Sequence, residues 1–166
     1  MNNKCKWLKY ILLIMYLGLG LVLVVEASLP AEVSSGHSGA VSEVVQEVTE
    51  SVGADKLAES IKNNLSEFNH FIRKGIGHFG AFFVLAVVGT LTFGLFNRVK
   101  SSSAVISLLT GVGFAILTEA IQVSVPGRYG CFDDVLLDSL GYIIGFVVIS
   151  IIYLIFSLVK RKRITS

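Results

Sequence analysis

Charge is scarce in this chain: 16% of its 166 residues are Asp, Glu, Lys or Arg, against 53% hydrophobic ones. With a mean hydropathy of +0.73, that excludes an ordinary soluble domain of this size. Cysteine is nearly absent as well. Cys5 and Cys131 fall on opposite sides of the expected membrane layout, so no disulfide within one molecule is available. Catalytic signatures are also missing. There is no His-Glu-x-x-His run and no serine in a recognisable nucleophile setting, and Cys131 has no base beside it in sequence.

What the chain does have is apolar length. Four runs, residues 8–27, 76–96, 104–125 and 135–159, each reach the roughly 20 helical residues needed to cross a hydrocarbon core. They predict an all-α membrane protein, a bundle of four transmembrane helices with both termini on one side. Nine of the 14 basic residues lie in segments without acids: Lys4, Lys6 and Lys9, then Arg98 and Lys100, then Lys160 to Arg163. The positive-inside rule puts residues 1–7, 97–103 and 160–166 in the cytoplasm and the segments 28–75 and 126–134 outside. The first run also has the three parts of a cleavable signal peptide, ending in Val25-Glu26-Ala27. Its 16 uninterrupted apolar residues from Tyr10 to Val25 favour a retained span, and residue 28 emerges outside on either reading.

The outer segment opens with Pro30 and the Ser/Gly stretch Ser34 to Gly39, which predicts a flexible exit from the membrane. Val41, Val44, Val45, Val48 and Val52, then Leu57, Ile61, Leu65 and Phe68, recur at three- and four-residue spacing. Two short amphipathic helices follow, their apolar stripes lying in the headgroup layer or capping the bundle. His37 is expected to be simply solvated.

Topology brings the outer ends of spans two, three and four together. Arg73, Lys74 and His78 start the second, Glu119 and Gln122 end the third, Arg128 lies in the turn, and Asp133, Asp134 and Asp138 begin the fourth. Asp134, Asp138, Gly141 and Gly145 share one helical stripe, as do Gly111, Ala115, Glu119 and Gln122. Small residues there let helices approach closely in lipid. A carboxylate at the bilayer centre costs about 2.5–3.5 kcal/mol, so the acids should face partners. Arg128, turned back by Pro126-Gly127, is the expected two-bond partner of a carboxylate.

The set Glu119-x-x-Gln122, Pro126-Gly127-Arg128, Asp134, Asp138 and Gly141-x-x-x-Gly145, with the upstream Ile72-Arg73-Lys74-Gly-Ile-Gly-His78-Phe79, resembles the VanZ-like membrane proteins. Two positions depart from that pattern: Asp138 stands where the family usually has Asn, and Ala81 where many members have Glu. The resemblance implies a multi-pass cell-envelope protein of the bacterial cytoplasmic membrane, linked to susceptibility to the glycopeptide teicoplanin.

The cluster can be a satisfied polar plug that only holds three helix ends together, and two functional readings stand beside that one. In the first, Arg73, Lys74, His78 and Arg128 sit at headgroup depth and bind a lipid headgroup, a lipid-linked wall precursor or a lipoglycopeptide, with no cofactor and no nucleic-acid partner. In the second, His78, Glu119, Asp134 and Asp138 form a membrane-embedded metal- or acid/base-dependent enzyme acting on a lipid-linked substrate. Beyond Asp138 the fourth span carries no charge before Lys160, which argues against a transport path.

Overall fold

The computed structural model describes the backbone of residues 3–96 and 100–165 and the side chains of residues 7–95 and 101–161. Cys5 and the expected cytoplasmic charges Lys4, Lys6, Arg98, Lys100, Lys162 and Arg163 lie outside the described side chains. Helix is the sole regular structure among the described residues. In chain order it forms α1 (Asn3–Ser28), α2 (Ala31–Ser51), α3 (Asp55–Asn63), α4 (Leu65–Phe71), a π-helical segment (Ile72–Gly80), α5 (Ala81–Phe96), α6 (Lys100–Val123) and α7 (Phe132–Thr165).

Four stretches are long and apolar enough to span a membrane: Trp7–Ser28, Leu65–Leu95, Ser101–Val123 and Phe132–Arg161. Their outer faces present Leu17, Leu21, Ile116, Leu140 and Ile151 to the surroundings. So continuous an apolar surface suits lipid and not water, which makes the chain a multi-pass membrane protein. At a rise of about 1.5 Å per residue, α7 runs about 51 Å, well beyond the ~30 Å hydrocarbon thickness.

Inside the bundle α5 touches α1, α6 and α7, and its Phe82, Leu85 and Ala86 join Tyr16, Ala115 and Tyr142 in the core. With no hydrophobic drive between helices in lipid, close packing and buried hydrogen bonds must hold them. Tyr142 shows how. A Cβ on Gly111 would lie 2.5 Å from its ring and one on Gly89 2.7 Å from its hydroxyl, so two glycines on two helices make the slot that the ring fills. Its hydroxyl meets Ser107 Oγ at 3.0 Å. Tyr16 does the same from α1, donating to Thr110 Oγ1 at 2.9 Å and packing edge-on against Phe93 and Phe114. Thr92 bonds back to the Val88 carbonyl, whereas Thr90 reaches across to Ser107.

The segment between the first two spans differs from the expected flexible exit. The stretch Ser34 to Gly39 belongs to α2, which starts directly after Pro30. Pro30 suits the entry, because its carbonyl accepts from the Val33 and Ser34 amides. Ser34 and Ser42 are buried, with Ser38 half-buried between them. The Ser38 and Ser42 hydroxyls bond to carbonyls four residues earlier, which satisfies them within the helix. A small polar face therefore turns inward, while Val44, Val48 and Val52 are exposed and Val41, also exposed, borders the larger cavity at the end of the bundle. Gly53, at φ 75°, ends α2: its amide reaches the Glu50 carbonyl and that of Ala54 the Thr49 carbonyl, closing a Schellman motif. His37 is exposed but not merely solvated, since its Nδ1 lies 3.1 Å from the Glu26 carboxylate.

Past Asn64 the chain stays helical into the second span, and its entry turn is widened. Gly75, Gly77 and Gly80 all fall within Ile72–Gly80. A Cβ on Gly80 would sit 3.2 Å from the Gly75 carbonyl, five residues back, so the wide turn tolerates little else there. Such π turns are frequent at functional sites, where the wider turn re-aims side chains.

Candidate functional site

The polar site forms where α1 and α6 end and where the π-helical segment and α7 begin. The last two start at the same end of the bundle and run parallel. Lys74 pairs with Asp134 Oδ1 on the first rung between them. One turn deeper, His78 Nδ1 lies 3.0 Å from Asp138 Oδ1. Below these charged rungs the helices close to backbone contact. A Cβ on Gly141 would strike the Phe79 carbonyl, and one on Gly145 would lie 2.6 Å from the Phe83 carbonyl and 2.9 Å from Ala86 Cβ. Glycine at those two positions holds α7 near enough for the side chains above to pair.

Glu119 enters from α6. Its side chain is 6% exposed and its Oε1 lies 4.0 Å from His78 Nδ1. Gln122 Nε2 donates to Oε1 at 2.8 Å and the Cys131 backbone N–H to Oε2 at 3.0 Å, so both carboxylate oxygens are held. His78, Glu119 and Asp138 thus bring one ring nitrogen and two carboxylates within 4.8 Å of one another. Asp134 is not part of this group, because Lys74 has taken it. Asp138 is 1% exposed, and its Oδ2 has no hydrogen-bond partner among the described residues.

Arg128 does not pair with a carboxylate among the described residues, contrary to expectation. The turn Val125 to Arg128, closed by the Arg128 amide on the Val125 carbonyl, carries Pro126 and then Gly127 at φ 77°. It aims the guanidinium at the end of α1. There Nη1 donates to the carbonyls of Glu26 at 2.8 Å and Leu29 at 3.2 Å, and Nη2 approaches Ser34 Oγ at 3.4 Å. A cation on carbonyls left over at a helix C-terminus satisfies both their hydrogen bonding and the negative end of the dipole. Burial pulls the guanidinium below its ordinary pKa; the charges of Glu26 and Glu119 oppose that shift and Arg73 adds to it.

Two cavities adjoin the cluster. The larger, about 260 Å³, has walls of Leu23, Ile72, Ile76 and Phe82 and polar groups from Arg73, His78, Gln122, Arg128 and Asp138. The other, about 210 Å³, is bordered by Ser34, Arg73, Gln122, Arg128, Tyr129 and Asp134. Arg73 and Arg128 line both.

The structure therefore gathers Arg73, Lys74, His78, Glu119, Gln122, Arg128, Asp134 and Asp138 at one end of the bundle, while Gly111 and Ala115 lie deeper, against Tyr142 and in the core. Sequence reasoning leaves out Glu26 and Ser34, which border the larger cavity, and the Cys131 amide. Glu26 carried a signal: it is an acid at the very end of an apolar run, at the same level as the others. Ser34 carried none, since its stretch reads as loop.

No curated protein and no solved structure matches the chain. A family model described as VanZ/LLP1 matches residues 7–155, from the first span to within the fourth, and takes in every residue of the cluster. With that coverage, and four membrane-spanning helices meeting at the polar end, the chain belongs to the VanZ/LLP1 family.

Proposed function

We propose that this is a cell-envelope protein whose cavity, between Arg73 and Arg128, takes the phosphate-bearing headgroup of an amphiphile. The lipid headgroups of the outer leaflet and lipid-linked wall precursors share that chemistry. Arg73 carries the reading. Its exposed guanidinium makes no hydrogen bond or ion pair among the described residues, and it lines both cavities beside a second arginine. Two guanidinium groups side by side repel unless an anion lies between them, and the planar fork of arginine suits phosphate oxygens. The apolar wall of Leu23, Ile72, Ile76 and Phe82 offers the neighbouring surface that a lipid chain needs.

The cavity end faces outward in this reading and both termini lie in the cytoplasm. Support comes from Lys9, Lys160 and Arg161 at the opposite end of the bundle, and from the acids of α2 and α3 at the cavity end. A protein holding an outer-leaflet amphiphile can alter how a glycopeptide such as teicoplanin meets its lipid-linked target. The test is purification in native lipid with mass spectrometry of what co-purifies. The wild type should retain a phosphate-bearing amphiphile that Arg73→Gln loses. An identical lipid complement in both, with unchanged teicoplanin susceptibility of the cells, overturns the proposal.

A further inference from the structure

We infer that His78, Glu119 and Asp138 form a binding site for one first-row divalent cation, of the Zn2+ or Mn2+ class. The inference does not depend on which amphiphile, if any, fills the cavity above.

Geometry is the first support. The three side chains come from three different helical elements, and each offers a ligand atom within 4.8 Å of the others. His78 Nδ1 lies 3.0 Å from Asp138 and 4.0 Å from Glu119. Donor atoms bound at about 2.0–2.2 Å to a common ion stand about 3.0–3.6 Å apart, so the cluster closes on one when its widest separation shrinks by at most about 1–2 Å.

The independent support is Asp138 Oδ2. It belongs to a side chain 1% exposed and has no hydrogen-bond partner among the described residues. Buried carboxylate oxygens are paired or bound to metal. No cation reaches that oxygen among the described residues: Lys74 holds Asp134, Arg128 holds the α1 carbonyls, and the exposed Arg73 makes no ion pair with Asp138. That leaves two carboxylates to share one imidazole. A divalent ion supplies the missing charge and takes the orphaned oxygen.

The surroundings fit as well. Gln122 and the Cys131 amide fix both oxygens of Glu119, the outer-shell arrangement that orients a metal-binding carboxylate. One imidazole with two carboxylates suits a borderline ion, between the thiolate sites of soft metals and the all-oxygen sites of calcium. Both His78 and Asp138 border the larger cavity, so the ion's remaining positions face it.

The test uses the full chain, purified without chelators and with any affinity tag removed. Elemental analysis should find about one zinc or manganese per chain, lost in Asp138→Asn and His78→Gln and kept in Arg73→Gln. After chelation, Zn2+ or Mn2+ at a hundredfold excess over its Kd should raise the unfolding midpoint of the wild type by about 5–10 °C. Should Asp138→Asn fail to fold, Gln122→Ala decides, since loss of an outer-shell partner weakens affinity about 10–100-fold. Metal content below a tenth of an equivalent with no response to either ion overturns the inference. So does metal binding that Asp138→Asn, or failing that Gln122→Ala, leaves unaltered.

Discussion

His78 meets Asp138 at 3.0 Å across two parallel helices, and glycine at 141 and 145 is what brings those helices close enough for the contact. Their contact lies one turn deeper than the Lys74–Asp134 pair, with the Asp138 side chain almost wholly removed from solvent. Breaking it from one side should cost more than removing both partners. His78→Leu strands a buried carboxylate, a loss of about 3–5 kcal/mol, while His78→Leu with Asp138→Leu should recover most of it. Thermal unfolding in detergent, followed by helical circular dichroism, gives the comparison. A double variant no more stable than the single one would show that the two do not act as a pair.

Close approach between α7 and the second span predicts a sharp positional contrast among glycines. Gly141→Val drives a side chain into the Phe79 carbonyl and should destabilise by at least the about 1–3 kcal/mol typical of overpacking. Gly113→Ala meets nothing within 4 Å and should be neutral. Equal folded yields of the two variants after heating in detergent would contradict the packing.

Arg128 should behave as a stabiliser of the end of α1. Arg128→Ala leaves the Glu26 and Leu29 carbonyls without their cationic donor, a loss of about 1.5–3 kcal/mol. Arg128→Lys should be intermediate, because an ammonium lacks the fork that reaches the carbonyls and Ser34 together. Unfolding midpoints ordered wild type, lysine, alanine would bear this out.

Orientation can be read by labelling. With both natural cysteines replaced by serine, Tyr129→Cys, at a position 91% exposed beside the cavity, should react with a membrane-impermeant maleimide on intact cells. Ser101→Cys, exposed at the other end of the bundle, should react only after permeabilisation. The reverse pattern would invert the proposed topology.

The layout of spans is legible in the chain because apolar length is a local property: a run of about 20 residues without charge has few places to go but lipid. The stripe of Asp134, Asp138, Gly141 and Gly145 is legible for a similar reason, since helical periodicity assigns a face without any knowledge of the neighbour. Composition is less informative where neighbours decide. Ser34 to Gly39 reads as a loop, yet its serines form the inner face of α2 and bond within the helix. Tertiary burial of a small polar face overrides a weak local preference.

Partner choice within the cluster was closed to sequence reasoning altogether. Arg128 could meet any of several acceptors, and the Pro126-Gly127 turn sends it to backbone carbonyls that no pattern of side chains announces. Asp134 and Asp138, four residues apart on one stripe, divide between Lys74 and the cluster with Glu119 because the π turn sets Lys74 and His78 opposite them. By itself the sequence determined that there are four spans, which faces are polar and which family the pattern resembles, all consequences of hydropathy, period and motif. Only the tertiary structure decided which charges are satisfied. Pairing depends on distances of a few ångströms between separate helices, and those are set by glycine contacts, a widened turn and a hairpin bend acting together.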